Sequence, residues 1–302
     1  MKDFLSIDSC SAQELLELLD LSDKLKKLYK KGKRDDCLFG KTLVMLFEKP
    51  SLRTRISFEI AMTQLGGNAI YVKPEDIGGI GKREPIKDMA RVLSRYADGI
   101  MARTFSHDTV VELAKYAEIP VINALTDRSH PCQAMADVMT IREHLGKLKD
   151  VKIAFVGDGN NVARSLAFAC AKLGMKIAIA SPKGYELDAE SIARTNEIAS
   201  GTTVQTNNPR DAVKGADVIY TDTWTSMGQE DEKQKRINDF KGFAVDSALV
   251  SAAPKAKIMH CLPAYRGCEI TDEVIESENS IVFDQSENRL HFQRALLKKL
   301  LS

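Results

Sequence analysis

Residue types that could do chemistry come first in the stretch Phe47-Glu48-Lys49-Pro50-Ser51-Leu52-Arg53-Thr54-Arg55. An apolar run, Thr42 to Phe47, leads into it, and a helical run, Ile56 to Leu65, leads out. A strand, a tight turn and a helix start present backbone N–H groups that have no intrahelical acceptor, at the positive end of the helix dipole. Ser51, Arg53, Thr54 and Arg55 add two hydroxyls and two guanidiniums at that point. The set suits a phosphate dianion. A capped surface helix with its Arg side chains in solvent is the plain alternative. It explains Ser51 well and two Arg flanking a Thr less well.

Arg103, His130 and Gln133 are hydrogen-bond donors of the kind that hold a carbonyl oxygen as it gains charge in acyl-type transfer. His130 precedes Pro131 at a helix start and Gln133 follows three positions on, so both can face one ligand. Taken alone, His130 reads equally as a helix-start residue bonded to a nearby carbonyl. Gly157-Asp158-Gly159-Asn160-Asn161-Val162 half-resembles a dinucleotide fingerprint. Val162 stands where the third Gly belongs, and the next strand ends in Ser181-Pro182-Lys183-Gly184, with no acid for a ribose. This counts against an NAD-dependent oxidoreductase; Asn160 and Asn161 at a helix start can instead hold a carboxylate. Asp222 and Ser226, four apart in a loop after a strand, suit an ammonium group or simply cap the loop. Cys261, beside Pro263 at the end of a buried strand, reads as nucleophile, base, polar contact or inert core. No activating base lies near it in sequence, and His260 is expected on the opposite face, so covalent catalysis is not expected. Trp224 and Cys170 read as packing.

These side chains need a scaffold that delivers them to one edge. Strand and helix alternate from residue 42 to 145, which implies a parallel sheet with helices on both faces. Ligands collect at the carboxyl ends of such strands, where Ser51, Arg53, Arg103 and His130 all fall. Residues 74–84 form a Gly-rich loop carrying Lys82 and Arg83, either an anion-approaching loop or a plain connection. The pattern restarts near 146–150, and a long final helix, Ser286 to Leu301, carries Arg289 in its first turn. The expected fold class is α/β, two domains, each a parallel sheet flanked by helices, joined by bridging helices. The first domain is 1–134, with the C-terminal helix 286–302 packing back on it; the second is 135–285.

A chain of 302 residues suits two such domains of about 150 each. Lys+Arg 43 against Asp+Glu 42 gives a formal net charge of +1, which argues against nucleic acid or a membrane surface as partner. No apolar run reaches the roughly 18 residues of a spanning helix, and Met1-Lys2-Asp3-Phe4 lacks the core of a signal peptide. The six cysteines show no CxxC and no zinc-like spacing, so no metal is expected and a reduced, cytoplasmic location is the default.

Read together, the motifs resemble the aspartate/ornithine carbamoyltransferase superfamily, over nearly the whole chain. The resemblance rests on Phe47 to Arg55, Met101-Ala102-Arg103-Thr104, His130-Pro131-Cys132-Gln133, Asp222-Thr223-Trp224-Thr225-Ser226-Met227-Gly228, His260-Cys261-Leu262-Pro263 and Glu287-Asn288-Arg289. The fourth and fifth favour the branch that uses ornithine over the one that uses aspartate. The resemblance implies transfer of the carbamoyl group of carbamoyl phosphate to the δ-amine of L-ornithine, giving L-citrulline and phosphate, with no cofactor. A carbamoyltransferase for putrescine or an acylated ornithine is the alternative, and a non-catalytic binding protein a more distant one. By the same resemblance, carbamoyl phosphate meets Ser51, Leu52, Arg53, Thr54, Arg103, His130, Gln133, Cys261, Leu262 and Arg289. Ornithine meets Asn161, Asp222, Ser226 and Met227, with Arg103, His130 and Cys261 as the catalytic set and Cys261 the candidate acceptor of the amine proton. A homotrimer or larger assembly is implied. The chain departs from the family in two places. Leu52 stands where Thr is common, which costs little if that position offers its N–H. Gly78-Gly79 stand where a Gln reaching the substrate of a neighbouring subunit is common, and Lys82 or Arg83 is expected to replace that contact.

Overall fold

The computed structural model describes residues 1–226 and 228–302. They divide into two compact units, Met1–Met139 with Asn288–Ser302, and Thr140–Glu287. The cuts fall inside two long helices.

The first unit is built from α1 (Ala12–Lys30), β1 (Thr42–Phe47), α2 (Leu52–Gln64), β2 (Asn68–Val72), α3 (Pro74–Ile77), α4 (Ile86–Tyr96), β3 (Gly99–Arg103), α5 (His107–Tyr116), β4 (Val121–Leu125) and the start of α6 (Pro131–Leu145). Its sheet is parallel throughout, in the order β2-β1-β3-β4. Strands β1 and β3 are covered on both faces, so they read as unbroken apolar runs instead of alternating ones. Val44, Leu46, Ile100, Ala102, Val110, Leu113 and Val121 form one core against the flanking helices; each large apolar side chain fully buried there contributes roughly 1.5–3 kcal/mol. Register is set at both ends of β3. Phe47 pairs with Arg103 at the carboxyl end. At the other end Gly99 leaves no room for a Cβ, which would meet Leu301 Cδ2 at 2.8 Å. Residues expected as a Gly-rich loop include the single turn α3, closed by Gly78 in the left-handed conformation.

The second unit contains β5 (Lys152–Val156), α7 (Asn161–Leu173), β6 (Lys176–Ala180), α8 (Ala189–Ile198), β7 (Thr203–Thr206), α9 (Pro209–Val213), β8 (Val218–Thr221), α10 (Lys233–Asp239), α11 (Ser247–Val250), β9 (Lys257–His260), α12 (Asp272–Ile275) and the start of α13 (Val282–Leu301). Its sheet is also parallel, β7-β6-β5-β8-β9. Trp224 packs in its core, stacked on Phe240 at 5.4 Å. Helix α13 begins four residues before the expected Ser286, because Val282 is buried and the Ile281 carbonyl already accepts the Gln285 N–H at 2.9 Å. Arg289 therefore lies two turns into the helix, not in its first turn.

Candidate active site

In a parallel sheet the connections leave a crevice where strand order reverses, at the carboxyl ends. In the first unit that point lies between β1 and β3. The turn after β1 carries Ser51, the N-cap of α2, whose Oγ accepts the Thr54 N–H at 3.3 Å and donates to Thr54 Oγ1 at 3.1 Å. Leu52 is the first residue of the helix and its side chain is 75% exposed, so it offers the turn its N–H and nothing else. Of the two guanidiniums read from the sequence, Arg55 turns away: it pairs with Glu59 at 2.9 Å and lies over the Tyr71 ring. Arg53, the second residue of α2, is half-buried.

Arg103 is buried at the end of β3, and its carbonyl accepts the Glu48 N–H at 2.8 Å, which ties the strand end to the start of the phosphate-type turn. His130 is buried just before α6, where its carbonyl accepts the N–H groups of Gln133 and Ala134. Burial, then the neighbouring Arg289 and Arg103 charges, push the His130 pKa well below 6.5. The ring is neutral at physiological pH. Arg289 Nη1 donates to Gln133 Oε1 at 2.5 Å and Nη2 to Thr54 Oγ1 at 3.4 Å, while Gln133 Nε2 donates to Asp137 at 2.8 Å. One guanidinium thus spans from the turn after β1 to the first turn of α6. The first unit brings together Ser51, Leu52, Arg53, Thr54, Arg103, His130, Gln133 and Arg289.

In the second unit strand order reverses between β5 and β8. Asn160 caps α7, accepting the N–H groups of Val162 and Ala163, and donates through Nδ2 to Asp222 at 2.8 Å. Both ends of the Asn160 amide are thus engaged within the protein, and Asn161 is the first residue of the helix. Asp222 also accepts from the Thr223 N–H at 2.7 Å and from Cys261 Sγ at 2.8 Å. This contact joins β8 to β9 and supplies the carboxylate partner for Cys261 that no neighbouring residue in sequence could. Ser226 accepts and donates to Gln229 through its backbone. Met227 lies outside the described residues.

The turn after β9 is shaped by a buried pair. His260 Nδ1 accepts the Leu262 N–H at 2.8 Å, and Nε2 faces Glu269 Oε1 at 3.1 Å. Leu262 adopts φ 57°, a left-handed backbone in which its N–H points back at the ring. A ring nitrogen of His260, Cys261 Sγ and an Asp222 oxygen lie within 4.8 Å of one another, so His260 is closer to Cys261 than opposite strand faces implied. Its two nitrogens are engaged by Leu262 and Glu269. Glu269 carried no signal in the sequence; it lies nine residues beyond His260, across a loop, with no motif linking them.

Residues 2–143 match the sequence model described as aspartate/ornithine carbamoyltransferase, carbamoyl-P binding domain, and residues 149–300 the one described as the Asp/Orn binding domain. The ornithine carbamoyltransferase of Bacillus subtilis (strain 168) is 52% identical, covering 99% of this chain and 94% of its own. The chloroplastic ornithine carbamoyltransferase of Pisum sativum is 49% identical, covering 100% of this chain and 80% of its own. Among solved structures, ornithine carbamoyltransferase from Pyrococcus furiosus superposes with a TM-score of 0.96 at 50% identity, over 99% of this chain and 97% of that one. With two family domains in order along the chain and relatives at half identity over its full length, this chain belongs to the aspartate/ornithine carbamoyltransferase family.

Proposed function

We infer that this chain is an ornithine carbamoyltransferase, joining carbamoyl phosphate and L-ornithine into L-citrulline and phosphate. The observation that carries the reading is the set of donors at the β1/β3 switch point: the capped turn at Ser51–Thr54, Arg103 and neutral His130, with Arg289 tied to both Thr54 and Gln133. The phosphate takes the first-turn N–H groups, the hydroxyls and Arg53. Arg103 and His130 donate to the carbonyl oxygen. A neutral imidazole suits this, since it donates a hydrogen bond without surrendering a proton in the ground state. Gln133, its carbonyl held by Arg289, keeps amide hydrogen for the carbamoyl group.

Ornithine's α-carboxylate meets Asn161 and its α-ammonium Asp222 and Ser226, with Met227 in the same loop. The δ-nitrogen attacks the carbonyl carbon only when neutral, so its ammonium must lose a proton: Cys261 passes its thiol proton to Asp222 and takes up the amine proton in its place. The C–N bond forms, the tetrahedral oxyanion leans on Arg103 and His130, and the C–O bond to phosphate breaks as the leaving phosphate takes the remaining surplus proton from the attacking nitrogen. Phosphate departs as an anion balanced by Arg53 and the helix start. The Leu262 N–H is spent on His260, so its carbonyl is the backbone group left to it for the carbamoyl nitrogen.

The enzyme works as a trimer or larger assembly. Leu52, Ile56 and Ile60 are exposed at successive helical turns of α2, beside exposed Ile70 on the edge strand β2, and this stripe suits a second copy. None of the six cysteines is disulfide-bonded, which suits the cytoplasm.

Citrulline formation from carbamoyl phosphate should be measured with ornithine, putrescine and N-acetylornithine. Ornithine should be preferred, and Arg53→Ala should lower the rate by at least about 10²-fold. Wild-type inactivity with all three amines would remove the reading; a preference for putrescine or the acylated amine would move it to that substrate.

A further inference from the structure

The sequence gives no role to Arg236, yet it is one of the most deeply placed charges in the second unit, 6% exposed on the short helix α10. Its Nη1 donates to Asp158 Oδ2 at 2.8 Å and to the Trp224 carbonyl at 2.9 Å. Its Nε donates to Glu232 at 2.9 Å, and its guanidinium lies over the Tyr185 ring. Asp158 and Trp224 belong to two different segments. Asp158 is in the turn after β5 that ends in Asn160 and Asn161. Trp224 is in the loop after β8 that begins at Asp222 and runs to Ser226. These are the two segments to which the ornithine contacts are assigned above, so the inference rests on that assignment.

We propose that Arg236 is a positioning residue that latches the 222–226 loop to the 157–161 turn and so sets the affinity for the amino-acid substrate. Two physical effects act together. Nη1 bridges Asp158 and the Trp224 carbonyl while Nε, held by Glu232, and the Tyr185 ring fix the plane of the guanidinium, an orientation that a flexible lysine stem does not impose. Arg236 also compensates Asp158, a half-buried carboxylate beside Asp222; the two acids repel each other, and without the guanidinium the turn carries an uncompensated charge. Asn160, donating to Asp222 from the same turn, transmits any displacement to the Asp222 carboxylate. Gly159 cannot give way: a Cβ there would meet the Leu187 nitrogen at 2.2 Å, so the turn is already pressed against 186–187.

Steady-state kinetics separate this role from a merely structural one. Arg236→Met should raise the KM for ornithine by about tenfold or more while the KM for carbamoyl phosphate stays within about twofold. Arg236→Lys, which keeps the charge and loses the fork, should fall between. Asp158→Asn in the Arg236→Met background should recover part of the lost affinity, because it removes the stranded carboxylate. If Arg236→Met does not fold, Arg236→Lys and Asp158→Asn alone carry the test, each raising the ornithine KM selectively. Equal changes in both KM values, or a loss of kcat alone with no recovery in the double variant, would overturn the proposal. Asp222→Asn and Asn161→Ala run in parallel: if they leave the ornithine KM unchanged, it is the assignment of the amino-acid site that fails, whereas selective effects in them and none in Arg236 variants remove the latch alone.

Discussion

At the level of single residues, the site assigns charge sparingly. Arg103 and Arg289 bring two permanent cations to His130, and the cost falls on the imidazole, which stays neutral. That has a consequence for stability. The folded pKa lies below the unfolded value near 6.5, so the folded chain binds fewer protons there; the associated stability is present above pH 6.5 and lost as pH falls toward the folded pKa. His130→Asn should therefore flatten the decline of Tm between pH 7 and roughly pH 5 relative to wild type, read by calorimetry. An unchanged slope would show that the ring is not held neutral. The sequence made Arg53, Arg103 and His130 legible because each stands at a strand end or helix start. It misassigned Arg55, since nothing local says that Tyr71 and Glu59 capture it. It could not see Glu269, or that Asp222 and Cys261 meet, because strand order brings β8 beside β9 and strand order is not written in any single stretch.

At the level of elements, the loop between α3 and α4 shows why glycine occupies 78 and 79. Both have positive φ, and a Cβ at Gly78 would meet the Arg83 side chain at 3.3 Å and one at Gly79 the Lys82 side chain at 2.9 Å. The two basic side chains fold back over the glycines. Gly79→Ala should displace Lys82 and raise the KM for carbamoyl phosphate if the loop serves that substrate. Lys82→Ala and Arg83→Ala should do the same by severalfold, by analogy with the loss of a charged hydrogen bond of about 1.5–3 kcal/mol. If none of the three changes that KM, the loop has no part in binding it. The alternation of strand and helix was readable because parallel strands covered on both faces are continuous apolar runs. The single turn α3 was not, since four residues set no period. The early start of α13 was hidden by Asp284 and Gln285, polar residues that mask the buried Ile281 and Val282.

For the whole molecule, the exposed stripe Leu52, Ile56 and Ile60 is the surface on which the proposed assembly is tested. Ile56→Asp should shift sedimentation toward the monomer and lower specific activity at low protein concentration, with activity recovering as concentration rises. Sedimentation unchanged in Ile56→Asp and Leu52→Asp would place the contact elsewhere. Leu52, unusual beside its relatives in the sequence reading, then has a reason: its backbone serves the turn while its side chain belongs to the outer face.

The pairing of β3 carries a consequence for how this chain can vary. All five residues of the strand are buried, so alternation of polar and apolar faces gives the register little protection. What fixes it are two end stops, Gly99 under Leu301 and Arg103 opposite Phe47. A one-residue insertion within 99–103 would leave an apolar strand that still pairs and still packs, with its guanidinium carried to the other face. The spacing of five between the stops is thus what the sheet requires, and a folded, silent protein is the expected fate of an insertion within it.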